Sequence, residues 1–525
     1  MSGEYLRNNQ EKEATMKMQR SRVAVWVAVW VAGMLALGLA AGSARANDLQ
    51  ITNVTVTPRD TTTAWVQFDI KWENSWRHAN INHDAAWVFF KVLPDGRSAW
   101  EHVTLEGTGT NPTGYATGSG TPIEMIVPAD HVGMFVRRSG EGAGTNSVQN
   151  VKAVWNIASN SLAKTDKVKI QAFGVEMVYV AEGKFKVGDG LDDQGQFFEG
   201  GGGRNAFLIQ SESAITTSNQ VGCLWGASQD GNNSMGGDGV IPNAFPKGYA
   251  AFYCMKYEIT QGQYADFLNV LTRDQQATRC QASTTLGGYM YSVWTLAVQR
   301  RNTVQLTTDP GSPAPRGYTT VTRDRACNWL SWADGCAFTD WAGLRPMTEL
   351  EFEKACRGPL DPVAGEYAWG NTNISATPAI LYDGSEMETA TEVNCNYDKC
   401  YPDGPYRVGF YVKKGSTRQE AGASYWGIME LSGNLLERPV TVGNATGRLF
   451  TGLHGDGMLT SGGEADFTAL KWPDATANGA GIRGGSCEYP SAFARVSDRS
   501  SAAARASNNR SHADHYGWRA VRSAR

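Results

Sequence analysis

The chain is expected to fall in the mixed α+β class, with a small all-β sandwich followed by a larger α+β domain. Three features lead there. Val66, Phe68, Ile70 and Trp72 alternate with Gln67, Asp69 and Lys71, the period of a strand with one buried face. Farther along, Ser331-Trp332-Ala333-Asp334 and Thr348-Glu349-Leu350-Glu351 each set an acid three residues after a hydroxyl, the capping-box start of a helix. The composition, with 59 Gly and 17 Trp and only 19% charged residues, favours loop-heavy β structure over long helices.

Residues 1–46 read as an export signal. Lys17, Arg20 and Arg22 precede an apolar run over 23–41, and Ala44-Arg45-Ala46 supplies a small-x-small cleavage site. Translation from Met16 or Met18 would give a signal of ordinary length. The apolar run approaches the length of a membrane anchor, but a cleavage site directly after it favours removal. No later segment is apolar enough to span a bilayer. The remaining chain is therefore expected to be exported, to the periplasm, the cell surface or beyond. A net charge of −4 argues against nucleic acid as a partner. Nine cysteines in an exported chain are permitted to pair, and the odd number leaves at least one over. Cys395 and Cys400 are close enough in sequence to close a small loop.

Residues 47–173 are expected to form an immunoglobulin-like β-sandwich. Besides the alternating stretch, 49–56, 85–92, 148–155 and 168–173 are strand candidates, separated by turns such as Pro94-Asp95-Gly96. Trp65 is read as a packing residue rather than part of a ligand groove. From 194 to 239 the chain is dominated by Gly, Asn and Ser, including Gly200-Gly201-Gly202-Gly203, and is expected to be a long surface insertion. Phosphate cradling is excluded there because no Lys-Ser/Thr follows the glycines. The segment 252–260 is a strand leading into a helix that carries Tyr264, Phe267 and Leu268 on one side. Stretches 275–325 and 444–479 are further insertions. Ala333, Cys336, Ala337 and Trp341 recur at helical spacing, and Leu350, Phe352 and Ala355 are available for packing on the next helix.

Three blocks late in the chain are distinctive: 343–358, beginning Gly343-Leu344-Arg345-Pro346-Met347-Thr348-Glu349; 427–437, with Ser432-Gly433-Asn434; and Arg483-Gly484-Gly485-Ser486, closed by Tyr516-Gly517-Trp518-Arg519. In that order they resemble the formylglycine-generating (sulfatase-modifying factor) family, whose catalytic domain is a variant of the C-type lectin-like fold. Met177-Val178-Tyr179-Val180 running into Gly183–Gly188, Lys256-Tyr257-Glu258-Ile259-Thr260 and Tyr367-Ala368-Trp369-Gly370-Asn371 resemble other family segments. The resemblance implies a C-type lectin-like domain over 176–525 with long surface insertions.

It also implies a site. Family members carry two cysteines after "GGS", which bind copper as thiolates and act with oxygen on a substrate cysteine; soft sulfur suits Cu(I). Aligned without gaps from Ser486, those two positions hold Tyr489 and Ala494 here. Only Cys487 is nearby, and one thiol cannot form a two-sulfur site, so copper is not expected. Cys487 has no local His partner and reads as a small buried hydrophobe or a disulfide half. If catalysis persists, Ser486, Cys487, Tyr489 and Arg495 are the candidates. The related sulfoxide synthases use a histidine triad, and none of the seven histidines makes that pattern; His512-x-x-His515 reads as a solvated loop. The resemblance further implies structural Ca²⁺, held by hard oxygen ligands. One set falls on Glu430, Gly433, Leu435 and Glu437, a second on Asn396, Tyr397, Asp403 and Pro405. In the arginine-rich end, Arg483 and Arg519 are expected in structural salt bridges. Arg495, Arg499, Arg505, Arg510, Arg522 and Arg525 are candidates to line a pocket for an anionic ligand such as an acidic glycan.

The expectation is thus an exported two-domain protein with a sulfatase-modifying-factor-like domain, acting as a non-catalytic or diverged binding or envelope module toward a protein, peptide or glycan. The alternative is an oxidoreductase of the formylglycine-generating type acting on a protein cysteine.

Overall fold

The computed structural model describes residues 48–524 except 80, 192–194, 227–231, 233, 281–284, 291–297, 386, 400–401 and 505–512. The expected signal, Cys400 and His512 lie outside the described residues. Residues from 45 onward fall in one compact unit, mostly sheet with a few helices.

The alternating stretch lies in the strand β2 (Thr63–His78), with Val66, Phe68, Ile70 and Trp72 all fully buried. It pairs antiparallel with β1 (Gln50–Pro58) on one side and β6 (Gly142–Asn156) on the other. A second layer is built on β3 (Asn82–Pro94), which pairs with β5 (Met134–Arg138) and β7 (Val168–Val180); β4 (Ile123–Val127) extends it from β5. Side chains of β2 meet Ala86, Val88, Phe90 and Val92 of β3 in one core. At ~1.5–3 kcal/mol for each large apolar side chain taken from water, these residues dominate the stability of the sandwich. Trp65 is partly buried, its indole N–H donating to Gly114 O at 3.0 Å.

The opposite face of β3 belongs to a larger core. Ala85, Trp87 and Phe89 join Tyr264, Phe267, Phe338 and Trp341, and the Trp87 indole donates to Ala342 O at 2.7 Å. Covered on both sides, β3 reads as an unbroken buried run rather than an alternation.

The expected boundary at 173–176 falls inside β7, which is continuous. Its far end pairs with β8 (Phe252–Met255), then come β10 (Ala520–Ser523) and β9 (Arg345–Pro346), so one sheet runs from the sandwich into the C-terminal domain. At that point stands Gly174, where a Cβ would be 2.7 Å from Leu49 Cδ2 and 3.0 Å from Ile51 Cδ1. Its role is to admit β1 against β7.

Both capping boxes form. Ser331 and Asp334 start the helix α2 (Trp332–Trp341), Thr348 and Glu351 start α3 (Glu349–Arg357), and a third box, Thr260 with Gln263, starts α1 (Gln261–Leu268). Trp518 is fully buried on α2 at Gly335, where a Cβ would sit 1.9 Å from the indole, and its N–H donates to Thr339 Oγ1 at 2.7 Å. Replacing such a side chain by Ala costs about 3–5 kcal/mol.

The insertions are not confined to the surface as expected. Phe197–Glu199, Ile215–Thr217, Leu224–Gly226 and Gly239–Ile241 form a small sheet, and Phe197, Leu224 and Ile241 enter the main core. Val304, Leu306 and Tyr318 from 275–325, and Phe450 and Trp472 from 444–479, do the same. Their apolar residues are too sparse for a period to show, yet each caps an otherwise open edge of the core.

Among the described residues no disulfide joins two cysteines. Cys254, Cys327, Cys336 and Cys356 are fully buried in apolar surroundings. Burial pushes the Cys254 thiol up to about 12, which keeps it protonated and inert.

Candidate functional site

The segment 483–495 is clamped from below by α3. Arg483 donates to Glu349 at 3.1 Å and Glu353 at 2.7 Å, and Arg499 to Glu349 at 2.7 Å, all fully buried. Arg519 donates from Nε to Glu437 at 2.8 Å and from its Nη atoms to Met255 O and Met429 O. Arg522 is bound to Asp130 and lies over Trp87, 4.1 Å from the ring centroid. Arg499 and Arg522 are therefore structural, which corrects their assignment to an anion pocket: carboxylates of α3 and of the sandwich already pair with them. Arg505, Arg510 and Arg525 lie outside the described residues, and Arg495 is half-buried beside Gly365.

Asn434, held at φ +63°, ties the surrounding loops together. Its N–H donates to Asn396 O at 2.9 Å, its O accepts from Cys487 N–H at 3.0 Å, and its Oδ1 accepts from Tyr406 N–H at 2.9 Å. Its amide also donates to Glu258. Three loops, 396–406, 430–437 and 486–489, meet on this side chain and backbone.

Ser486 and Cys487 are both buried at 1% exposure, so neither presents itself to a substrate. Tyr489 is half-buried; its ring packs against Phe493 at 5.0 Å and edge-on to His515 at 5.3 Å. Ala494 sits in a cluster with Tyr367, Trp369 and Cys395, and the Cys395 thiol donates to Ser432 O at 3.2 Å. Cys395 thus packs in the same cluster as Ala494, a placement that short sequence spacing to Cys400 gave no hint of.

His515, read from sequence as part of a solvated loop, is instead largely buried beside Tyr489, and Asp514 and Arg300, absent from that reading, stand next to it. His515 Nδ1 is 2.7 Å from Asp514 Oδ1, and His515 Nε2 has no hydrogen-bond partner. Arg300, reaching in from an insertion, contacts Asp403, Glu488 and, at 3.1 Å, Asp514. The adjacent Asp514-His515 pair was legible; its direction toward Tyr489 was not.

The first oxygen set centres on buried carboxylates. Glu430 Oε1 accepts from Gly409 N–H at 2.7 Å, Glu437 Oε1 from Arg519, and both Oε2 atoms are buried without a hydrogen-bond partner. Glu258, which sequence reading left without a role, accepts from Leu435 N–H at 3.0 Å. Burial pushes Glu430 up to about 7. Burial and then the neighbouring Glu437 push Glu258 well above the carboxylate range. Three carboxylates face Arg519, with Arg407 also close to Glu430, so negative charge is in excess and the set suits a hard dication in charge and donor type. Among the described residues no three His, Cys, Asp or Glu side chains converge as a metal group. A cation here would need the carbonyls of Gly433 and Leu435 beside the two Glu side chains.

The second set does not fit. Asp403 is bound to Arg300, and Pro405 O accepts from Arg301 Nη1 at 2.7 Å. Asn396 turns its amide to Gly404 O at 3.1 Å, and Tyr397 packs by Tyr367 and Trp369. Two guanidiniums take up the donors and the charge a cation would use.

Comparison with known proteins agrees with this architecture. The model of the sulfatase-modifying factor enzyme 1-like domain matches residues 163–524, well over half of the chain. A formylglycine-generating enzyme from Thermomonospora curvata is 50% identical over 42 residues, 8% of this chain and 13% of that protein, so the chain aligns with only a small part of that relative's length. With the helices, the Asn434 junction and the buried arginines in the positions described, the chain belongs to the sulfatase-modifying-factor (formylglycine-generating enzyme) family.

Proposed function

We propose that this is an exported family member that has lost copper–dithiolate oxidation and serves as a binding module at the cell envelope, for a protein, peptide or glycan. The observation that carries this is the content of the two cysteine positions: Tyr489 is engaged in an aromatic stack, and Ala494 is buried in a mostly apolar cluster. Two thiolates on one metal are what Cu(I) chemistry needs. The sequence of residues 1–46 supports export. Ca²⁺ in this proposal is structural, held by Glu430 and Glu437 with the carbonyls of Gly433 and Leu435.

The test is a Cu(I) titration of reduced protein against a competing chelator, with oxygen uptake on a cysteine-containing peptide. No stoichiometric capture and no uptake are expected. Stoichiometric capture that is lost in Cys487→Ser or Cys395→Ala would overturn the proposal, since Cys395 packs with Ala494 and Cys487 lies in the same loop as Tyr489.

One observation favours a second reading, metal-free chemistry beside Tyr489. Asp514 accepting from Nδ1–H would leave His515 Nε2 as a proton acceptor next to Tyr489. Turnover of any substrate should then fall at least a hundredfold in His515→Gln with the fold intact.

A further inference from the structure

Where β3, β7 and β8 run side by side, three charged side chains meet almost out of reach of water. Asp84 on β3, Glu176 on β7 and Lys256, directly after β8, are 1%, 3% and 4% exposed. Strand register brings them together. Asp84 lies opposite Val178 and Glu176 opposite Ala86, while the Lys256 N–H donates to Glu176 O at 2.9 Å. The Lys256 ammonium donates to Glu176 Oε2 at 3.0 Å and stands 3.8 Å from Asp84 Oδ2. Glu176 Oε1 has no hydrogen-bond partner. Two acids beside one ammonium in so dry a site are costly if all three stay charged.

The donors around Asp84 are sorted between its two oxygens. Oδ1 accepts from Ser75 Oγ–H at 2.8 Å and from Trp76 N–H at 3.0 Å, and Oδ2 accepts from the Trp72 indole at 2.9 Å. Arg138 Nε donates to Ser75 Oγ at 3.1 Å, which leaves the hydroxyl proton for Asp84. Two donors fixed on one carboxyl oxygen are what the negative oxygen of a tetrahedral intermediate requires. Burial raises Asp84 and pushes Glu176 up to about 7, so the two acids keep a proton between them. Burial opposes the charge of Lys256, but Glu176 outweighs it and the lysine starts as an ammonium. In the reactive arrangement the shared proton is on Asp84, as the carboxylic acid an amine can attack, and Glu176 carries the charge beside Lys256.

We propose that Lys256 and Asp84 condense into an intramolecular amide bond, with Glu176 as the proton carrier. Lys256 passes a proton to Glu176 across their hydrogen bond, and Nζ attacks Cγ of Asp84. The Nζ–Cγ bond forms, and negative charge collects on Oδ1 between Ser75 and Trp76. The Cγ–Oδ2 bond then breaks. Oδ2 leaves as water with its own proton and the one Glu176 received, and a second proton from Nζ remains on Glu176. One ammonium, one carboxylic acid and one carboxylate thus become an amide, a water and a protonated Glu176, with no oxidant or other reactant. Packing holds amine and acid together for the life of the fold, so a reaction needed once per chain can be slow. Its product staples β3 of the sandwich to the C-terminal domain.

The test is mass spectrometry on the full chain, purified folded and then denatured and digested with trypsin. Trypsin does not cut after an acylated lysine, so the digest should contain 78–91 joined to 248–273. The joined species should weigh about 18 Da less than its two parts, the mass of one water. Lys256→Arg, which keeps a cation beside Glu176 but does not condense, should give no joined peptide. Glu176→Gln, checked for folding by circular dichroism, should give at least tenfold less of it. The wild-type digest decides without any variant: 78–91 and 248–256 released only as separate peptides overturn the inference. Joined peptide that a folded Glu176→Gln leaves undiminished overturns it as well.

Discussion

Segments 430–437 and 396–405 meet at Asn434, yet they settle buried negative charge differently. Around the first, Glu258, Glu430 and Glu437 share Arg519, and two carboxylate oxygens are left without a partner. Around the second, Asp403 and the Pro405 carbonyl are taken by Arg300 and Arg301. Both arginines sit at positive φ, +46° and +62°, so the insertion holds its backbone in the left-handed region to deliver them. The difference teaches that a loop rich in oxygen donors can be completed from outside by a cation or from within by a guanidinium. The donors alone do not say which.

The comparison breaks most severely at Arg519. Removing it as Arg519→Leu leaves Glu437 buried without its counter-charge, and loss of one partner of a buried pair costs about 3–5 kcal/mol. Urea unfolding should show that loss in the midpoint, with the slope unchanged. A loss under 1 kcal/mol would mean that the three carboxylates are already neutral or otherwise balanced.

Glu430 sharpens the comparison at intermediate size. Its carboxyl stands near 7 in the folded chain against an ordinary 4.5. A raised value means that the folded state holds the proton more tightly, so this contribution to stability is fully present below about pH 4.5 and is lost as pH rises through about 7. The wild type should therefore lose up to a few kcal/mol relative to Glu430→Gln between those pH values. Millimolar Ca²⁺ should remove that loss by favouring the ionised form. At a hundredfold excess over the dissociation constant it would raise stability by about 2.7 kcal/mol, an increment absent from Glu430→Gln. Equal pH profiles for both proteins, with no response to Ca²⁺, would show that the set holds no cation.

Much of this was legible in sequence, and the limits have physical causes. Local periods found β2 and α1, which each bury one face, and capping boxes helped to find α2 and α3, which are buried all round. β3 was found as a strand, but its second covered face was not, since a continuous apolar run does not say what lies on either side. The boundary expected at 173–176 instead holds Gly174, which serves a close strand approach. At the site, family-like positions located Asn434, Glu430 and Glu437. Glu258 and Arg300 escaped because their roles depend on contacts across 177 residues in one case and 188 in the other, which no local pattern records.

The smallest effect is expected at Arg300. Its side chain is 32% exposed and those of Asp403, Glu488 and Asp514 are 50%, 18% and 22% exposed, so water and salt screen these pairs. Arg300→Gln should cost about 1 kcal/mol or less at 0.15 M salt, and less still at 1 M. Its diagnostic value lies elsewhere. With the guanidinium gone, Asp403 and the unpartnered Asn396 Oδ1 become available to a hard cation. Thermal unfolding of Arg300→Gln should then gain a second, Ca²⁺-dependent increment that Asp403→Asn cancels and Glu430→Gln does not. If Ca²⁺ stabilises wild type and Arg300→Gln equally, the arginine pair is not a substitute for a cation, and the contrast between the two loops reduces to surface ion pairing.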